Sequence, residues 1–402
     1  MNIFKKLYYR TYQTVFKIVL PFLPYREPKI LENEDDIINV LTEKGYFKAI
    51  LITDKGIRGL GLTKELEQKM QENGLQLSVF DDVVPNPSTH NVLCAYEMFK
   101  TNGCDAIIAF GGGSVMDCAK AMGAKAAKPK KDLIDFKGVL KVNKKIPLLI
   151  AVPTTAGTGS ETTLAAVISD KEKELKFTIN DFALIPSYAM LKPELTIGLP
   201  KHITSTTGMD ALTHAVEAYI GRSTTKQTRK CALNATKLIF DNILEAYENG
   251  SNLEARKNML KAAYDAGLAF TKSYVGYIHA VAHTLGGAYN TPHGLANAVI
   301  MPYVLKIYGD KIYKKLWEMG VYSGLFDKSV SKKEGAKIFI AKIEELNKKM
   351  NIPNAIPEIK EEDIKELAKK AAKEANPLYP VPMLMSADDL EKIYIQVKNG
   401  EV

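Results

Sequence analysis

Asp105-Ala106-Ile107-Ile108-Ala109-Phe110-Gly111-Gly112-Gly113-Ser114-Val115-Met116-Asp117-Cys118-Ala119-Lys120-Ala121-Met122 reads as a strand, a turn of glycines and a helix. The first six residues are apolar after Asp105 and do not alternate, which is the pattern of a strand covered on both faces. Glycines let a backbone approach a phosphate closely, and the helix N-terminus that follows adds partial positive charge. The run is not Gly-x-Gly-x-x-Gly, and a tight strand–helix turn would use glycines as well.

Neighbouring segments repeat the strand–helix rhythm. Short apolar runs at Phe47–Thr53, Leu75–Phe80 and Pro147–Val152 are ended by Asp54-Lys55-Gly56, Pro85-Asn86-Pro87 and a threonine-rich loop. Helical stretches at Thr63–Asn73 and Ser88–Asn102 separate them. Lys176–Ile179 and Phe182–Leu191 are two further strand candidates. Strands alternating with helices predict a parallel, doubly wound sheet. After Leu199-Pro200 the strand signal stops and helical periods continue to the end. The expected organisation is an α/β domain with a parallel Rossmann-like sheet over 1–198, including an N-terminal extension over 1–26, then an all-α domain over 199–402.

Asp54 closes the strand Phe47–Thr53 and could accept hydrogen bonds from an adenosine ribose. A carboxylate there repels a 2′-phosphate, which favours NAD over NADP. As a bare turn residue, Asp54 would carry no such meaning. The loop Pro153-Thr154-Thr155-Ala156-Gly157-Thr158-Gly159-Ser160-Glu161 leaves the next strand, at the sheet edge where α/β proteins bind ligands.

Apolar content of 46% and charged content of 25% are ordinary for a folded protein and exclude a disordered chain. No apolar run approaches the length of a membrane span. The net charge of +8 comes from lysines scattered along helix faces. The densest basic stretch, Lys125–Lys145, lacks interleaved aromatics and reads as solvated surface, so no nucleic-acid partner is expected. Cys94, Cys104, Cys118 and Cys231 form no Cys-x-x-Cys pair and fit small side chains in a reducing cytoplasm. Met1–Leu23 mixes Lys5, Lys6, Arg10 and Lys17 with many apolar residues and is a poor export signal. It reads as an amphipathic helix covering a neighbouring surface, with loose membrane contact the lesser alternative.

Four of the six histidines fall into three short settings: Asp210-x3-His214, His279-x3-His283 and Thr291-Pro292-His293-Gly294. Residues four apart on a helix share a face. A carboxylate and several imidazoles aimed at one centre suit a divalent transition metal. Asp210 and His214 are the first two candidate ligands. Glu217 is either their outer partner or polar surface. Thr206-Thr207-Gly208 is expected to cap the helix carrying them, and Thr291 to cap a helix with Pro292 at its first position. The residue after His279 is Ala280, so the base of a His-Glu-x-x-His protease is missing. A Lewis-acid metal is favoured over a water-activating one.

Together these motifs resemble the iron-dependent alcohol dehydrogenase family. The resemblance rests on Gly111-Gly112-Gly113-Ser114-x-x-Asp117, Pro153–Glu161, Asp210-x3-His214-x2-Glu217 and His279-x3-His283-x9-His293-Gly294-x2-Asn297. It implies a dehydroquinate synthase-like architecture with an active site in a cleft between the domains. It also implies that Asp210, His214, His279 and His293 hold Fe2+, with Zn2+ chemically admissible, and that His283 lies by the substrate as a catalytic, non-ligating residue. Gly111, Gly112, Gly113, Ser114 and Asp117 then belong to the cofactor loop. Thr154, Thr155 and Thr158 match its threonine-rich neighbour, and Lys176 matches a lysine near the nicotinamide. The chain departs from the family at Ala165, where relatives carry asparagine, and at Lys192, where an Asp-Pro turn is common.

The expected activity is hydride transfer between a primary alcohol or aldehyde and NAD, with NADP less favoured. The partners expected are a small alcohol or aldehyde and further copies of the chain, in the cytoplasm. A dehydroquinate-synthase-like lyase and a catalytically silent nicotinamide-binding protein are the weighed alternatives. Tyr274, Tyr277 and Leu285 are candidate substrate walls by adjacency to the histidines.

Overall fold

Unbroken apolar runs become central strands and amphipathic runs become covering helices in the computed structural model, which describes residues 1–170, 173 and 175–401. The chain forms two compact units, Pro24–Gly198 and Met1–Leu23 with Leu199–Val402.

The helix α1 (Ile3–Val19) opens the chain. The α/β unit then runs β1 (Lys29–Leu31), α2 (Glu34–Glu43), β2 (Lys48–Ile52), α3 (Lys55–Gly59), α4 (Lys64–Glu72), β3 (Gln76–Phe80), α5 (Thr89–Thr101), β4 (Ala106–Gly111) and α6 (Gly113–Ala127). It ends with β5 (Gly138–Val139), β6 (Leu148–Pro153), β7 (Ala165–Asp170), β8 (Leu175–Asn180) and β9 (Tyr188–Met190). Six strands pair in the order β1-β9-β6-β4-β2-β3, all parallel. β5, β8 and β7 make a small second sheet in which β7 and β8 are antiparallel.

The pleat sends alternate residues of each strand to opposite faces. Ile50, Ile52, Ile107, Ala109, Leu149 and Ala151 pack with residues of α5 and α6. Leu51, Ile108, Phe110, Ile150 and Val152 pack with residues of α2 and α4 on the other side. Both faces are therefore apolar, which is why no alternation shows in the sequence.

Phe182–Leu191 is a strand only over Tyr188–Met190. Asp181 caps a 3-10 turn at Phe182–Leu184, and Pro186 follows it. β1, β5 and β7 were missed, being short or alternating in burial. Lys192 does more than replace a turn residue. Its Nζ lies 2.7 Å from both Glu34 Oε2 and Glu65 Oε2, tying α2 to α4.

The helical unit continues with α7 (Lys201–Ile220), α8 (Lys226–Glu248), α9 (Leu253–Ser273), α10 (Tyr277–Tyr289), α11 (His293–Tyr308), α12 (Tyr313–Tyr322), α13 (Lys332–Lys349), α14 (Glu361–Ala375) and α15 (Ala387–Asn399). None is long and apolar enough to cross a membrane. α7 starts at Lys201, so Thr206 and Thr207 do not cap it. Their hydroxyls donate back to the carbonyls of His202 and Ile203, 2.7 Å away in each case. Gly208 serves packing, since a Cβ there would come within 2.8 Å of Ile243 and 2.9 Å of Met259.

Of the expected extension 1–26, residues 1–23 belong with this helical unit and only Pro24–Arg26 with the α/β unit. Arg10 donates to the carbonyls of Val381 (2.8 Å) and Pro382 (2.9 Å), and Gln13 donates to that of Tyr379 (2.7 Å).

Candidate metal centre and cofactor loops

In the α/β unit, successive connections depart in opposite directions from β2 and β4, which are neighbours. Such a switch point leaves a crevice at the carboxyl ends of the strands. Asp54 follows β2 there and Gly111–Ser114 ends β4. Gly111 pairs with Pro153 across β4 and β6, and its carbonyl accepts from Thr154 N at 3.2 Å. A Cβ on Gly111 would meet Val115 Cγ2 at 2.6 Å, and one on Gly113 would meet Thr158 Cγ2 at 3.1 Å. The glycine turn thus packs directly against the threonine-rich loop, and Thr154, Thr155 and Thr158 stand with it.

Asp54 caps α3, its Oδ1 accepting from Ile57 N at 2.9 Å. Asp117 is turned to structural work: Oδ2 accepts from Val167 N (3.1 Å) and Oδ1 from Ser160 Oγ (3.5 Å). Burial pushes its carboxyl up to about 6, against the pull of Lys120. Lys176 donates to Asn86 Oδ1 at 2.8 Å, and Asn86 N donates to Ser114 Oγ at 3.3 Å, so Asn86 links two expected cofactor residues. Burial lowers the Lys176 ammonium, partly offset by Asp117.

Lys120 went unnoticed in the sequence. It is fully buried, and its Nζ donates to Ser160 O (2.6 Å), Ser160 Oγ (3.0 Å), Thr163 Oγ1 (2.7 Å) and Ala165 O (3.0 Å). It fastens the threonine-rich loop to α6. Burial pushes its ammonium down to about 8, and Asp117 and Glu161 oppose this. The only sequence signal was its place one turn after Asp117.

In the helical unit, Asp210, His214, His279 and His293 converge. One ligand atom from each lies within 4.8 Å of the others. An ion bonded at 2.0–2.2 Å wants donors about 3.4 Å apart in a tetrahedron, so small side-chain rotations suffice. His279 Nε2 is buried with no hydrogen-bond partner and stands 3.8 Å from Asp210 Oδ1. A buried, unsatisfied imidazole lone pair is costly unless something binds it. The donor set and this atom both fit a divalent iron.

The local sequence explains the convergence. Asp210 and His214 are one turn apart on α7, and His279 enters on the first turn of α10. α11 begins at His293 itself, with Pro292 as the N-cap residue and Thr291 one position outside. Gly294 permits this entry, since a Cβ there would fall 2.3 Å from Thr206 O on α7.

Glu217 is no surface residue. Its Oε2 accepts from His279 Nδ1 (2.6 Å) and Gly276 N (2.8 Å), and Oε1 accepts from Ile278 N (2.9 Å). A carboxylate on Nδ1 selects the tautomer that leaves Nε2 as a lone pair toward the cluster. Burial pushes Glu217 up to about 7, against the backbone N–H groups of Gly276, Ile278 and His279. Burial and then His214, His293 and His283 hold His279 well below the usual imidazole range, so the ring is neutral. His214 stacks on Phe270, with centroids 4.0 Å apart. Asn297, one turn after His293, donates to Asp210 Oδ1 at 2.7 Å and sits 3.1 Å from His293 Nε2.

His283 lies beside the cluster, its ring stacked on His293 at 5.2 Å. Its Nδ1 is 2.6 Å from Glu374 Oε1, which also accepts from Tyr379 Oη at 2.8 Å. Burial alone would raise the Glu374 carboxyl, but His283 and Tyr379 hold it below its ordinary value. Glu374 sits on α14, far along the chain, and no local motif pointed to it. Two of the expected substrate walls are core: Leu285 is fully buried, and Tyr277 is buried with its hydroxyl on Asn376 Oδ1 at 2.8 Å. Tyr274 meets Phe16 of α1 edge-on.

Residues 29–193 match the family model for iron-containing alcohol dehydrogenase, and residues 204–397 match the model for the C-terminal part of the Fe-containing alcohol dehydrogenase family. The chain is 38% identical to a 1,3-propanediol dehydrogenase of Citrobacter freundii over 360 residues, covering 88% of this chain and 93% of that one. It is 37% identical to an NAD-dependent methanol dehydrogenase of Bacillus methanolicus over 333 residues, covering 82% and 87%. The crystal structure of a 1,3-propanediol oxidoreductase superposes with a TM-score of 0.88 at 35% identity, covering 93% and 98%.

Proposed function

The chain belongs to the iron-containing alcohol dehydrogenase family, and from that premise we propose which of its residues carry the reaction. It is a metal-dependent oxidoreductase that moves a hydride between an alcohol–aldehyde pair and a nicotinamide cofactor. Asp210, His214, His279 and His293 hold the iron. The observation that carries this is that their four ligand atoms lie within 4.8 Å of one another, with His279 Nε2 buried and lacking a hydrogen-bond partner among the described residues.

When bound, iron supplies a Lewis acid that favours ionisation of the alcohol, and nicotinamide supplies the hydride acceptor. The chain's own groups do the rest. Glu217 and Phe270 fix the rings of His279 and His214 before substrate arrives, so little reorganisation is needed at reaction. His283 takes the hydroxyl proton on Nε2 while its Nδ1–H is held by Glu374, whose negative charge stabilises the imidazolium. Gly111–Ser114 and Thr154, Thr155 and Thr158 bind the cofactor's phosphates through N–H and hydroxyl donors. Asp54, with Oδ1 spent on the α3 cap, keeps Oδ2 for a ribose hydroxyl, which favours NAD over NADP. The substrate is a small primary alcohol or its aldehyde. This likewise rests on the relatives, one a 1,3-propanediol dehydrogenase and another a methanol dehydrogenase.

The test is to strip the protein with a chelator, reload it with Fe2+ or Zn2+, and follow NADH formation over an alcohol panel with both nicotinamides. Activity returns with Fe2+ and NAD in the wild type. Asp54→Ser narrows the NAD preference. Undiminished turnover in the stripped protein refutes the assignment.

A further inference from the structure

α1 is built inside out for a surface helix. At roughly 100° per residue, Gln13, Phe16 and Leu20 share the inward side, and Arg10 flanks it. Those contacts are polar as well as apolar, through the carbonyls of Tyr379, Val381 and Pro382. The opposite side carries Phe4, Leu7, Tyr8, Val15 and Ile18, exposed by 76%, 67%, 59%, 55% and 64%. Phe22, 84% exposed, continues the stripe beyond the helix. Rotating α1 to hide this face would break the Arg10 and Gln13 contacts, so the fold holds it outward.

The charge of the segment itself has one sign. Residues 1–26 contain Lys5, Lys6, Arg10, Lys17 and Arg26 and no acid. Beside α1 lies a hollow of about 310 Å³ lined by Lys17, Arg222, Arg229 and Lys315 together with Gln13 and Thr14. An adjoining hollow, sharing Thr224 and Arg229, adds Lys226 and Lys230. None of the first four cations has a carboxylate within ion-pair distance among the described residues. Burial and then Arg229 push the Lys315 ammonium down to about 8, with Arg222 and Lys17 adding to this and Glu318 opposing it.

We propose that α1 and the basic hollows beside it dock this protein on an anionic lipid surface. α1 lies along the headgroup plane with its apolar stripe in the acyl boundary, and the cations of the neighbouring hollow, Arg222 and Arg229 foremost, meet the phosphates. An apolar face on one side of a basic helix, with aromatics at the rim, is the form of an interfacial helix. A second copy of the chain is the poorer occupant, because pairing two copies of a segment that carries basic and no acidic residues brings like charges together.

The test uses the iron-loaded full chain, sedimented with vesicles of phosphatidylcholine alone or mixed equally with phosphatidylglycerol. Wild type sediments with the mixed vesicles, and the bound fraction falls as salt rises. Removing one basic residue near the surface lowers partition about fivefold, so Arg222→Ala with Arg229→Ala lowers it about 25-fold. Phe4→Ser with Leu7→Ser and Ile18→Ser abolishes it, and both variants keep alcohol oxidation, which reports an intact fold. Wild type remaining in solution, or partitioning equally to both vesicles, overturns the proposal. So does a wild-type oligomer that the serine variant dissociates without any vesicle binding.

Discussion

Replacing Glu217 removes the group that fixes His279 and leaves every proposed iron ligand in place. Three N–H donors lose their acceptor in Glu217→Ala: His279 Nδ1, Gly276 N and Ile278 N. Only the first bears directly on iron. A hydrogen bond to a charged group contributes about 1.5–3 kcal/mol, and loss of such an outer partner weakens metal binding about 10- to 100-fold. The two backbone donors open α10, and each left unsatisfied costs about 1–3 kcal/mol of stability. Glu217→Gln separates the two effects. It keeps the volume and one acceptor, but its amide NH2 must face either Ile278 N–H or the His279 and Gly276 donors. Anaerobic competition for Fe2+ against a chromogenic chelator reads affinity, and thermal melting of the stripped protein reads stability. The expected order of affinity is wild type, then Gln, then Ala. Iron binding by both variants within about threefold of wild type refutes the role given to Glu217.

Gly294→Ala drives a methyl toward Thr206 O and shifts the His293 turn away from Asp210; overpacking of this kind costs about 1–3 kcal/mol, and iron content after dialysis should fall with melting temperature. Lys120→Met strips the donor from Ser160, Thr163 and Ala165. Steady-state kinetics should show a raised KM for NAD with unchanged iron content. Burial pushes Glu161 up to about 7 from an ordinary 4.5, so the fold favours its protonated form. That contribution is complete below pH 4.5 and is lost as pH rises through about 7, worth about 3 kcal/mol. Glu161→Gln should therefore leave melting at pH 5 nearly unchanged and raise it at pH 8, where wild type has lost the contribution.

The central sheet was legible because Ile107–Phe110 and Leu149–Val152 are buried on both faces and carry no polar interruption. β1 and β9 were harder. Each has three residues, too few for periodicity, and pairing rather than local preference makes them strands. Asp210, His214, His279 and His293 could be found because short helical spacings and scarce histidines advertise them. Glu217 could be noticed but not placed, since its role depends on α10, some 60 residues later. Glu374 acts on His283, 91 residues earlier, and Lys120 on Ser160, 40 residues later, contacts that no spacing records. The extension 1–23 was legible as amphipathic. Its attachment was not, because Arg10 and Gln13 bond to carbonyls near the other end of the chain.

The most direct measurement is X-ray absorption at the iron edge on anaerobically loaded protein, with stoichiometry determined on the same sample for wild type, His279→Ala and His283→Ala. One iron per chain, bound by three imidazoles and a carboxylate, lost in His279→Ala and kept in His283→Ala, is the predicted result. Full occupancy with unchanged coordination in His279→Ala, or loss of iron in His283→Ala, contradicts it.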